Sequence, residues 1–200
     1  IIQGAADGNY AGSIGDKVIG INQDGTHPSL SVSVSGVTIR YGRNTIATTD
    51  PLFAYTGAGV DVFLTGAGNN INFANCIISN NQNVNAYGGG VNVDSANVGV
   101  NAGTVTFTGC TIVNNSTLST IFTASGAGVN LFSDVHNVSF NNCVIANNQP
   151  ANSASTGGGG GINIRHSFGG IITINNCGIS NNTAGGSGGG ILTGFNQTVN

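Results

Sequence analysis

"NCVIANNQ" occupies residues 142–149, and three near copies accompany it: "NCIISNNQ" at 75–82, "GCTIVNNS" at 109–116 and "NCGISNNT" at 176–183. In each, a cysteine stands two residues before an isoleucine and four before a pair of asparagines. The cysteines fall at 76, 110, 143 and 177, which are 34, 33 and 34 residues apart. A period of that length defines a repeat protein, so residues must be compared as columns across units. Between the cysteines, glycine-rich tetrads recur: "GAGV" at 57–60, "GGGV" at 88–91, "GAGV" at 126–129, and "GGGI" at 159–162 and 188–191.

Aligned on the cysteines, the units show strict alternation. One column reads Val32, Ile71, Val105, Val138 and Ile172. Two residues on come Val34, Phe73, Phe107, Phe140 and Ile174, and three further on Val37, Cys76, Cys110, Cys143 and Cys177. Ile39, Ile78, Ile112, Ile145 and Ile179 follow after two more. Steps of two are the strand period, with alternate side chains on one face. The step of three marks a corner, occupied by Gly36, Asn75, Gly109, Asn142 and Asn176, residue types that accept positive φ.

From the last residue of the first four tetrads a further strand reads "VDVF", "VNVD", "VNLF" or "INIR". Helices are excluded by this period and by the glycine content. Three short strands per coil, each stacked on its copy about 4.8 Å away, make a parallel β-helix. The chain thus reads as all-β, a right-handed parallel β-helix (solenoid) of about seven coils. Residues 1–200 form a single domain, expected to be a piece of a longer solenoid or a subunit that assembles end to end.

Composition bounds the function. There are 34 glycines, and the seven acids are all aspartate; only 6% of residues are charged, for a net charge of −3. Lys17, Arg40, Arg43 and Arg165 are too few and too scattered for a nucleic-acid groove, so no nucleic-acid partner is expected. No apolar run reaches the roughly 20 residues of a membrane span.

Valine replaces cysteine at position 37, so the cysteine column reads as a small apolar pocket that a free thiol fills. Stacked side chains point in parallel, which holds their Cβ atoms too far apart for a relaxed disulfide although the Cα spacing permits one. A tetrahedral metal site needs convergent ligands, whereas a column spreads them along an axis. Cys76, Cys110, Cys143 and Cys177 are therefore assigned a structural role, with no metal and no cofactor. Asn80, Asn114, Asn147 and Asn181, with neighbours Asn81, Asn115, Asn148 and Asn182, read as side-chain ladders bonded from coil to coil.

With these columns the chain resembles the right-handed parallel β-helix repeat proteins of the pectate-lyase-like superfamily. It is similar to polymorphic outer-membrane-type repeat proteins, in the pairing of "GGG[VI]" with a later "F-x-[NG]-C-x-I-x-N-N" over about residues 30–200. The resemblance implies a secreted or cell-surface solenoid. It also implies that any enzyme built on it keeps carboxylates and a basic residue on an outer sheet.

The strand after the glycines is that sheet's counterpart. Its outward positions are Asp61, Asn92, Asn130 and Asn163, then Phe63, Asp94, Phe132 and Arg165. Phe63 and Phe132 would stack sugar rings while Asp94 and Arg165 bond hydroxyls or a carboxylate. Asp61 and Asp94, with Arg165, are the catalytic alternative, a polysaccharide lyase or glycoside hydrolase needing carboxyls about 5–9.5 Å apart. His136, His166 and Asp134 lie in loops as a weaker metal candidate. The expectation is a non-catalytic extracellular or cell-surface element with a structural, adhesive or fibre-forming role. Its partners would be copies of itself or adjoining coils, and glycans.

Overall fold

The computed structural model describes residues 2–3, 17–22, 25–45, 57–84, 86–95, 102–118, 125–132, 137–150, 157–165, 170–194 and 198–199. Among them there is no helix, and so none long and apolar enough to cross a membrane. Every described strand pairs in parallel with its copy one repeat away, and the strands gather into four sheets.

The first, here the phenylalanine sheet, stacks Ser31–Ser35, Asn70–Ala74, Thr104–Thr108, Asn137–Asn141, Ile171–Asn175 and Thr198–Val199. Its register matches the columns read from sequence, Val32 on Ile71 on Val105 on Val138 on Ile172. After the corner comes the isoleucine sheet: Thr38–Arg40, Ile77–Ser79, Thr111–Val113, Val144–Ala146 and Gly178–Ser180, with Ile2–Gln3 at its edge. The glycine sheet holds Ile19–Ile21, Val60–Leu64, Val91–Ser95, Val129–Phe132, Ile162–Arg165 and Ile191–Thr193. A fourth, short sheet stacks Arg43–Asn44, Gln82–Val84, Ser116–Leu118 and Gln149–Pro150. Three strands per coil were expected; this fourth set corrects the number. Its strands have two or three residues, too short to display alternation, and those at Gln82, Ser116 and Gln149 directly follow the asparagine pair.

Three left-handed positions recur from unit to unit, one of them the first glycine of the later triplets, at φ 71° in Gly88, 68° in Gly126, 67° in Gly159 and 70° in Gly188. The corner residues take φ of 65° at Gly36, 52° at Asn75, 62° at Gly109, 54° at Asn142 and 51° at Asn176. The second turn uses Asn80, Asn114, Asn147 and Asn181, at φ between 53° and 57°. Asparagine and glycine are the residues that enter this region at least cost, which is why these positions recur in the sequence.

Inside, like packs on like. Phe73, Phe107 and Phe140 stack with ring centroids 5.1 and 5.0 Å apart and planes within 8°. Ile39, Ile78, Ile112 and Ile145 are wholly buried in the next column. Each such side chain contributes about 1.5–3 kcal/mol on burial, and each aromatic pair adds roughly 0.5–1.5 kcal/mol. At the last repeat Cys177, Ile179 and Asn182 are half-buried, whereas Cys143, Ile145 and Asn148 beneath them are buried. This all-β arrangement of stacked parallel strands fits a parallel β-solenoid.

Candidate functional site

The glycine sheet carries the residues singled out for ligand contact, and its first outward column is not a solvated face. Asp61, Asn92, Asn130 and Asn163 are 3, 0, 0 and 0% exposed. They point away from the apolar core and are nonetheless buried, which corrects the expectation of an open strip. The glycine triplets supply the reason. A methyl group built on Gly88, at φ 71°, would lie 2.9 Å from the Cβ of Asn92; the same group on Gly126 or Gly159 would lie 2.8 or 2.5 Å from Asn130 or Asn163. Gly88, Gly126 and Gly159 thus each fold against the asparagine four residues later, and no side chain fits between them.

The column is bonded from end to end. Asn163 Nδ2 donates to Asn130 Oδ1 at 2.8 Å, Asn130 Nδ2 to Asn92 Oδ1 at 2.8 Å, and Asn92 Nδ2 to Asp61 Oδ1 at 3.0 Å. Lys17 Nζ donates to Asp61 Oδ2 at 2.9 Å and completes the row. Burial pushes the Asp61 carboxyl above its ordinary value, and the Lys17 ammonium opposes that rise without cancelling it. At the other end the register places Leu192 opposite Asn163. Leucine offers no donor, and Asn163 Oδ1 is buried without a hydrogen-bond partner.

A second amide row runs on the far side of the same glycines. Asn81 Nδ2 donates to Asn115 Oδ1 at 2.9 Å, Asn115 Nδ2 to Asn148 Oδ1 at 3.0 Å, and Asn148 Nδ2 to Asn182 Oδ1 at 2.9 Å. Each amide nitrogen also reaches a carbonyl of the unit before it, as Asn115 does to Ile78 O at 2.9 Å. Gly59, Gly90, Gly128 and Gly161 abut this row: a methyl on Gly90 would lie 2.8 Å from Asn115 Nδ2 and 2.6 Å from Gly128 O. The triplets are therefore spacers between two amide rows. The inner row is formed by Asn81, Asn115, Asn148 and Asn182, while Asn80, Asn114, Asn147 and Asn181 contribute the left-handed turn that aims their neighbours inward.

Beyond the outer row, the next outward positions are Phe63, Asp94, Phe132 and Arg165. Asp94 pairs in register with Phe63, and Phe132 with Arg165. Asp94 is buried and accepts the Ser95 N–H at 2.6 Å. Phe63, Phe132 and Arg165 are half-buried. The Arg165 guanidinium lies 5.0 Å from the Tyr87 ring centroid and 5.7 Å from that of Phe132. Beside it opens a groove of about 210 Å³ whose lining includes Ser125, Asn163, Arg165 and Leu192. Tyr87 was not singled out from sequence; it precedes a glycine triplet and no repeat column marks it.

The cysteines are four free thiols, with Cys76, Cys110 and Cys143 buried and Cys177 half-buried. Each Sγ faces two carbonyls, that of the residue two before it and that of a residue one repeat earlier. For Cys143 these are Asn141 O at 3.4 Å and Phe107 O at 3.5 Å. Desolvation pushes the Cys76 thiol up. A thiol–thiol hydrogen bond draws Cys110 down and holds Cys143 up, the latter reinforced by burial. His136, His166 and Asp134 lie outside the described residues, and among the described residues no three His, Cys, Asp or Glu side chains cluster to hold a metal ion.

No protein-family model, curated protein or solved structure matches this chain. The structure itself defines the class: an all-β protein of stacked parallel strands with buried amide rows on either side of glycine spacers.

Proposed function

We propose that the protein is a right-handed parallel β-helix of about seven coils, acting outside the cell or at its surface as a structural, adhesive or fibre-forming element without catalytic activity. The observation that carries this reading is how the candidate face spends its polar groups. Asp61 has both oxygens engaged, by Lys17 and by Asn92. Asp94 is buried against its own strand. A general acid or base must be free to reach a substrate proton, and neither carboxyl is arranged for that. Repetition of the same contacts in every unit is what an extended scaffold requires. The half-buried Cys177, Ile179 and Asn182 present the surface on which a further coil stacks, whether from this chain or from another copy.

The adhesive part of the role has its own supporting observation. Arg165 is held between two rings at the edge of a groove, and such a guanidinium suits a carboxylate on a hydroxylated ligand such as an acidic glycan. The test is incubation of the wild type, Asp94→Ala and Arg165→Ala with a polysaccharide panel, reading chain cleavage and binding separately. Binding lost in Arg165→Ala with no cleavage by any form is the expected result. Cleavage that disappears in Asp94→Ala overturns the reading.

A further inference from the structure

The lysine end of the outer row differs in chemistry from the rest of it. Gly20 stands opposite Asp61 in register and has no side chain with which to continue the row. Lys17 Nζ occupies that end instead, 2.9 Å from Asp61 Oδ2. Backbone hydrogen bonds of 3.0 Å, from Val18 N to Ala58 O and from Ile19 N to Gly59 O, fix the segment from which the lysine reaches. The two side chains are 16 and 4% exposed. Asn92 Nδ2 holds the other carboxyl oxygen, Oδ1, at 3.0 Å, and the Gly57 backbone N–H also bonds the carboxyl. An amine fixed against one oxygen of a carboxyl, with an amide N–H on the other, is preorganised for acyl transfer.

Burial works against the ionised form of this pair. A buried carboxylate and ammonium must recover their lost hydration from each other, and desolvation here outweighs Lys17, leaving the Asp61 carboxyl above its ordinary value. Transfer of one proton from Nζ to Oδ2 gives a neutral amine beside a neutral acid. Loss of water from those two gives an amide, which carries no charge to desolvate.

We propose that Lys17 and Asp61 condense into an intramolecular isopeptide bond between Nζ and Cγ. After the first proton has passed to Oδ2, the Nζ lone pair attacks Cγ and the carbonyl electron pair moves onto Oδ1, where Asn92 Nδ2 bonds it. A second Nζ proton then moves to Oδ2, the electron pair returns from Oδ1, the Cγ–Oδ2 bond breaks and one water leaves. The third Nζ proton stays on the new amide, and the step needs no oxidant and no co-reactant. The product is an N-substituted asparagine at position 61. Its Oδ1 still accepts from Asn92, so a column that reads Asp61, Asn92, Asn130 and Asn163 becomes amide throughout. The bond ties the strand Ile19–Ile21 covalently to Val60–Leu64, beside which it already pairs. Any pH dependence that the Asp61 carboxyl gives to stability belongs to the chain before condensation.

The experiment measures the intact mass of the denatured wild-type chain after overnight incubation of the folded protein at neutral pH, with a tryptic map of the same sample. The expected result is a mass lower than that of the sequence by one water, no cleavage after Lys17, and a branched fragment joining the segments that carry Lys17 and Asp61. Lys17→Arg keeps the cation but has no primary amine to condense, so it should show the full sequence mass and unlinked fragments. The wild-type measurement depends on no variant folding. An unchanged wild-type mass overturns the proposal. So does a water lost equally from Lys17→Arg, which places the dehydration elsewhere, or a loss of ammonia in its stead, which places the reaction at an asparagine.

Discussion

Replacing Leu192 by asparagine would extend the outer amide row by one residue. Asn163 Oδ1 is a buried acceptor with no partner, and a group left in that state costs about 1–3 kcal/mol. Position 192 stands opposite Asn163 in register. Its Cβ also keeps the row's relation to the preceding triplet, since a methyl on Gly188 would lie 2.8 Å from the Leu192 Cβ, as one on Gly126 would from Asn130. An amide nitrogen there reaches Asn163 Oδ1 as Asn163 Nδ2 reaches Asn130 Oδ1. Against this gain stands the loss of a half-buried leucine, about 1 kcal/mol from the roughly 1.5–3 kcal/mol of a fully buried one. The net expectation is stabilisation by about 1 kcal/mol, or about 2–4 °C in Tm for a chain of this size. Urea and thermal unfolding followed by far-ultraviolet circular dichroism measure it. In an Asn163→Ala background only the leucine loss remains, about 1 kcal/mol of destabilisation, giving a coupling of about 2 kcal/mol in the double-mutant cycle. A cycle with no coupling, or a Leu192→Asn protein less stable than wild type, refutes the amide-row argument.

Three further outcomes are expected. Asn115→Ala removes the acceptor of the Asn81 N–H and Nδ2 and the donor to Ile78 O and Asn148 Oδ1, and should cost more than about 3 kcal/mol in urea unfolding; a loss under 1 kcal/mol contradicts the role of the inner row. Gly90→Ala forces a methyl to 2.6 Å from a backbone oxygen and should destabilise by about 3 kcal/mol, whereas Gly178→Ala, with open space around its Cβ, should stay within about 0.5 kcal/mol of wild type. Equal effects of the two glycine changes would show that the triplets are not spacers. Asp61→Asn keeps an acceptor for Asn92 and removes a titrating group. Because burial raises the folded Asp61 pKa above its unfolded value near 3.8, the folded state binds the extra proton between the two values. Wild type should therefore gain stability relative to Asp61→Asn as pH falls from neutral towards about 4 and lose it as pH rises through the folded pKa; urea midpoints across that range that move the opposite way contradict the assignment.

The stacking was legible because the inward residues keep their chemistry from unit to unit. Valine, phenylalanine, cysteine and isoleucine columns appear directly in the alignment, and the step of three between Phe73 and Cys76 announced a left-handed corner at Asn75 that the structure contains. The asparagine pair was harder, since both columns are equally regular. A second left-handed residue, at Asn80 and its copies, breaks the two-residue parity, and Asn81 is the residue that is fully buried and bonded to its copy. The outer column misled for a related reason. Alternation correctly placed Asp61, Asn92, Asn130 and Asn163 away from the apolar core, and facing away was equated with facing water. The covering element is the glycine triplet itself, four residues earlier; glycine carries no side chain to betray a contact in an alternation pattern. Tyr87 and the groove beside Arg165 were invisible because they occur once and belong to no column.

The donors of the two amide rows point opposite ways along the stack: Asn81 donates towards Asn115, whereas Asn163 donates towards Asn130. Every added unit thus contributes two side-chain dipoles of opposing sense, and their long-range fields cancel instead of accumulating as a one-way row would. Asp61 sits where the outer row's positive ends converge, a carboxylate terminating a line of N–H groups. Stacking further units would therefore add no growing electrostatic penalty from these rows.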